Sequence, residues 1–109
     1  MTIFVKTADP AALLKSIRKL IDERGIETWA YDRDGDFYHT PPQWDRKAWL
    51  RPYVVAGGLK LHLIQRKDER LTKPVYGVYH GRFAEMLLTH FDERCSSVET
   101  SAVQGSYVT

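Results

Sequence analysis

The chain has one cysteine in 109 residues. One thiol cannot pair within the chain, so a disulfide framework is excluded. That thiol, Cys95, lies in a polar stretch, which fits a reducing compartment, and the cytoplasm is the expected location. Met1-Thr2-Ile3-Phe4-Val5-Lys6 lacks the charged-then-apolar pattern of a signal peptide. No apolar run approaches the roughly 18 residues of a membrane span, so no membrane partner is expected. Excess charge is also scarce: 16 Lys+Arg face 14 Asp+Glu, a formal net charge of +2. A near-neutral total argues against a general polyanion binder.

The familiar catalytic and nucleotide signatures are missing too. There is no GxxxxGKS/T loop, no GxGxxG after a strand, no GxSxG elbow and no HExxH pair. His39, His62, His80 and His90 are too dispersed for metal-ligand spacing. Neither a metal nor a cofactor is expected, and no catalytic residue is assigned.

What is present suffices for a folded domain. Apolar residues make up 43% and aromatics 12% of the chain, enough for one core and inconsistent with disorder. The length suits one domain, expected over residues 1–95. Residues 96–109 scatter their apolar positions without period and are expected to form a flexible tail.

Residues 3–6 read as a strand. Asp9-Pro10 then opens a helix over 10–24: the carboxylate can cap free N–H groups, and proline suits the first helical position. Leu13, Leu14, Ile17, Leu20 and Ile21 make one apolar stripe, and Gly25 is expected as the C-terminal cap. Segments 28–31 and 37–40 alternate about Asp34-Gly35, a strong turn signal. A second hairpin pairs 49–55 with 59–65 around Ala56-Gly57-Gly58. Segment 75–79 is a candidate further strand, and a second helix is expected over 82–91. The expected class is α+β: an antiparallel sheet of about five to six strands, two amphipathic helices on one face, and the order β-α-β-β-β-β-(β)-α.

Asp32-Arg33-Asp34-Gly35-Asp36 resembles the opening of an EF-hand calcium loop. The pattern then fails, with Phe37 at the glycine position and Gln43 at the bidentate glutamate position. An acidic hairpin turn is the better reading.

Charge is segregated along the chain. Residues 25–45 carry one basic and five acidic groups, whereas 46–82 carry nine basic and two acidic. The basic segment includes Trp49, Tyr53, Tyr76 and Tyr79. The candidate partner surface is Trp49, Arg51, Tyr53, Lys60, His62, Arg66, Lys67, Arg70 and Lys73. The expected role is a small non-enzymatic interaction domain that binds a protein partner, or itself as a homodimer, through an open aromatic and basic sheet face. Nucleic acid on segment 46–82 is the alternative, with cations on phosphates and rings on bases. A third reading places an anionic ligand, bound or turned over, at His80, Gly81 and Arg82. There a strand-to-helix junction would offer free N–H groups, and His39 is a further candidate for that site.

Overall fold

A computed structural model describes residues 1–102. The elements in chain order are β1 (Thr2–Lys6), α1 (Pro10–Asp22), β2 (Trp29–Tyr31), β3 (Phe37–His39), β4 (Ala48–Val55), β5 (Gly58–Gln65), α2 (Lys73–Phe91), a 3-10 turn (Asp92–Arg94) and β6 (Ser97–Thr100). The six strands form one antiparallel sheet in the order β2-β3-β4-β5-β1-β6. The expected α+β class stands.

α1 starts as its sequence dictates. The Asp9 carboxylate accepts the Ala12 N–H at 3.1 Å, and Pro10 occupies the first turn. Its end differs from expectation: the left-handed residue is Arg24 (φ 62°), one position before Gly25. Gly25 serves a close approach instead, since its N–H reaches the Leu20 carbonyl at 2.8 Å and a Cβ there would collide with the Leu20 side chain.

The Asp34-Gly35 turn forms with Gly35 at φ 85°. Oδ1 of Asp32 accepts the N–H groups of Asp34 and Asp36, both at 3.0 Å. This carboxylate is occupied with holding the turn. The β4–β5 hairpin turns at Ala56-Gly57, with Gly57 at φ 80°.

Segment 75–79 is helix, not strand. Its β-branched and aromatic residues suit a strand locally, but tertiary packing decides otherwise. Tyr76, Tyr79, His80, Phe83, Met86 and Leu87 fall on one buried helical stripe. Thr72 caps the helix by accepting the Val75 N–H at 3.3 Å, with Pro74 in the first turn. α2 therefore begins nine residues before the expected 82. His80 to Arg82 lie mid-helix, where backbone N–H groups are already bonded, so the anion site expected at a helix start there does not exist.

The sixth strand follows α2 rather than preceding it. Ser97–Thr100 pairs with β1, and Ser101 donates its N–H to the Thr2 carbonyl at 2.9 Å. This part of the expected tail belongs to the sheet edge. β6 carries one half-buried apolar residue, Val98, so backbone pairing rather than side-chain pattern holds it. Residues 103–109 lie outside the described residues.

One core joins these elements. Ile3, Val5, Leu50, Leu59, Leu61 and Leu63 point from the sheet toward Leu13 and Ile17 of α1 and Tyr79, Phe83 and Leu87 of α2. Alternation sends the other residues of each strand to the opposite face, which both helices leave open.

Candidate functional site

Two surfaces carry the residues singled out above. The first is the open sheet face. Register places Trp49 opposite Ile64, Arg51 opposite His62, and Tyr53 opposite Lys60. On the far side of β5, Lys60 meets Phe4 and His62 meets Thr2. Lys60 thus stands in a cross-strand row between two aromatic residues. Partial burial, the amino terminus and Lys60 together push the His62 pKa down, so this imidazole adds no charge at neutral pH.

The remaining cations of segment 46–82 do not complete one basic surface. Arg51 is locked to buried Asp36 by two bonds, 3.0 and 2.8 Å. Asp36 holds the Arg51 guanidinium charged and raises its pKa. Arg66 pairs with Asp68 at 2.9 Å, Lys47 with Glu69 at 3.1 Å, and Arg46 with Asp45 at 3.0 Å. Arg66 and Lys67 flank the Trp49–Ile64 pair, and Arg70 lies in the exposed turn that follows β5. Lys73 opens α2, and Arg82 lies on the helix side of the sheet.

The second surface is a cleft of about 720 Å³ between the α1–β2 loop and α2. His39 and Arg82, forty-three positions apart, meet there: Arg82 Nη1 lies 3.2 Å from His39 Nε2. The tautomer follows from the other nitrogen. His39 Nδ1 lies 2.6 Å from the Thr28 carbonyl, so Nδ1 carries the proton and donates, and Nε2 accepts from Arg82. Burial lowers the His39 pKa, with the Thr28 bond opposing and the Arg82 charge assisting. The ring packs against Trp29 in a tilted arrangement, 32° between planes, at a centroid distance of 4.4 Å. Arg24, Glu27, Glu85 and His90 also line the cleft.

His80 and Gly81 are not part of this site. His80 is buried, with Nδ1 donating to the Tyr76 carbonyl at 2.8 Å and its ring stacked on Tyr76. Burial lowers its pKa. Gly81 is exposed on the outer side of α2. Sequence reasoning missed Arg24, Trp29 and Glu85 as cleft residues. Glu85, one helical turn from Arg82, was the one with a readable signal.

Among the described residues no group of three or more His, Cys, Asp or Glu could hold a metal ion. No described helix is long and apolar enough to cross a membrane. No family model, curated protein or solved structure matches the chain.

Proposed function

We propose that the chain is a small interaction domain that pairs with a second copy of itself along β4 and the adjoining open face. The observation that carries this reading is a bare apolar strand edge. β3 ladders with β4 only at Phe37 opposite Leu50, while β4 runs on to Val55. Beyond that point no described strand pairs with this side of β4. Its last three residues, Tyr53, Val54 and Val55, are 45%, 51% and 38% exposed.

An exposed apolar edge is a template for pairing with another chain, and monomers usually blunt such edges with charge, proline, a bulge or a covering element. Here Pro52 removes one N–H donor and no charged residue follows it in β4. Antiparallel pairing of β4 with its copy would continue the sheet across a two-fold axis. The near-neutral net charge of +2 sets little repulsion against it.

Sedimentation velocity across a concentration series tests the reading. A dimer is expected that Val54→Lys returns to monomer with its circular dichroism unchanged. A wild-type chain that stays monomeric at several hundred micromolar overturns it.

The Phe4–Lys60–Tyr53 row favours a second reading, single-stranded nucleic acid on the same face. Binding of a short oligonucleotide that weakens steeply with salt and is lost in Lys60→Glu would support that reading instead.

A further inference from the structure

We propose that His80 is a proton-sensitive latch for β6: protonation of its buried ring releases β6 from β1 while the rest of the domain stays folded. The residue is 3% exposed, and its Nδ1 donates to the Tyr76 carbonyl, so Nε2 is left as a bare acceptor. Nε2 is buried and has no hydrogen-bond partner among the described residues. A proton there adds a charge and a donor that nothing in the closed fold receives.

No carboxylate among the described residues faces the ring to offset that charge. α2 lies against β6, β1 and β4. Register puts Val98 and Thr100 of β6 on the helix side, opposite Val5 and Ile3, and sends Glu99 to the open face with Phe4. The buried helix-side residues of β4, Ala48 and Leu50, are apolar. Along α2 itself the neighbours one turn away are Tyr76, Gly77, Phe83 and Ala84. Asp92, Glu93 and Arg94 follow the far end of α2, about 18 Å along the axis at 1.5 Å per residue. The charged group that does act on the ring is the Met1 amino terminus at the start of β1, and it too opposes protonation.

Release falls on β6 for two reasons. The His80 ring stacks on Tyr76 at a centroid distance of 3.9 Å, and the Tyr76 hydroxyl donates to the Ser101 carbonyl at 2.6 Å. Ser101 in turn holds the start of β1: its N–H donates to the Thr2 carbonyl and its Oγ accepts the Thr2 N–H, both at 2.9 Å. A ring that turns outward to hydrate Nε2 breaks the stack behind this clasp. The second reason is burial. β6 has no buried residue and only Val98 half-buried, and elements with few buried apolar contacts open first. Its departure bares β1 as a new sheet edge.

Amide hydrogen exchange of the ¹⁵N-labelled chain, read by NMR as protection factors, tests this. The Ser96 and Ser101 amides, bonded to the Lys6 and Thr2 carbonyls, report on β6. The Thr40 amide, bonded to the Thr28 carbonyl across β2–β3, reports on the rest of the domain. Between pH 7.5 and 5.5 protection at Ser96 and Ser101 is expected to fall about tenfold, the limit for one proton taken up only in the released form by a group titrating near 6.5. Protection at Thr40 is expected to fall less. His80→Phe keeps a ring against Tyr76 and is expected to abolish the selective fall. Tyr76→Phe removes the hydroxyl that holds Ser101 and is expected to lower protection of β6 already at pH 7.5. Equal falls at Thr40, Ser96 and Ser101 overturn the proposal, because His80 then reports only global unfolding. So does protection of β6 that ignores pH in the wild-type chain, a selective fall that persists in folded His80→Phe, or unchanged protection of β6 in folded Tyr76→Phe.

Discussion

Replacing Tyr79 with phenylalanine removes a single oxygen from a ring that is 0% exposed. That oxygen donates to the Trp44 carbonyl at 2.7 Å and accepts the His39 N–H at 3.2 Å. The phenol therefore ties α2 both to β3 and to the loop that leaves it. Thr40 donates its N–H to the Thr28 carbonyl across the β2–β3 ladder. By antiparallel alternation the His39 N–H then points away from β2. β4 does not pair with β3 at that position, so the phenol replaces a ladder partner. In Tyr79→Phe the His39 N–H is left buried without a partner. The Trp44 carbonyl keeps the Lys47 N–H at 3.2 Å and suffers less. An unsatisfied buried group costs about 1–3 kcal/mol, so the whole change should cost about 2–3 kcal/mol. For a domain of this size that lowers Tm by roughly 10–20 °C. Urea unfolding followed by tryptophan fluorescence measures it, with an unchanged m-value expected. Tyr53→Phe, at a 45% exposed position, should stay within about 0.5 kcal/mol of wild type. A Tyr79→Phe chain as stable as Tyr53→Phe would refute the bridging role.

The buried histidines predict acid sensitivity. Burial lowers the pKa of both His39 and His80 below its unfolded value, near 6.5. The unfolded chain then binds protons first, so their contribution is full above about pH 6.5 and falls as the pH drops below it. Urea midpoints should decline between pH 7.5 and 5.5, and His80→Phe should flatten the decline; parallel profiles for the two chains would count against this assignment. At Gly58 an added Cβ would lie 2.5 Å from the Val5 carbonyl oxygen and 2.5 Å from the Phe4 ring. Because one obstacle is the neighbouring strand's backbone, Gly58→Ala should cost about 1–3 kcal/mol, while Gly77→Ala, with open space around it, should be neutral or stabilising. Equal melting temperatures for the two glycine variants would show that β1 and β5 do not approach so closely.

Local signals made much of the architecture legible. Asp9-Pro10 and a stripe of leucines and isoleucines announce α1, because cap and face lie within one helix. Asp34-Gly35 and Gly57 announce the two hairpins, because positive φ at a turn is a single-residue property. Segment 75–79 misled for the same reason. Val75, Tyr76, Val78 and Tyr79 favour a strand when read alone, and only the continuation through Phe83 and Leu87 shows the helical face. Strand β6 left almost no trace, since an edge strand held by backbone bonds needs no pattern of side chains.

The candidate sites divide along the same line. Sequence alone determined the class, the two-faced character of β5, and the concentration of cations in 46–82. It also marked His39 and Arg82 as polar groups with chemistry to spare. Tertiary structure decided which groups meet. Packing of α2 across β3 brings Arg82 to His39 and takes His80 into the core. Ion pairs with Asp36, Asp45, Asp68 and Glu69 disperse the basic segment. β3 begins only at Phe37, and this late start bares the edge of β4 beyond Leu50. Periodicity and turn chemistry act over a few residues and can be read along the chain. Register, pairing and burial depend on segments far apart in sequence, and those are set only when the whole core closes.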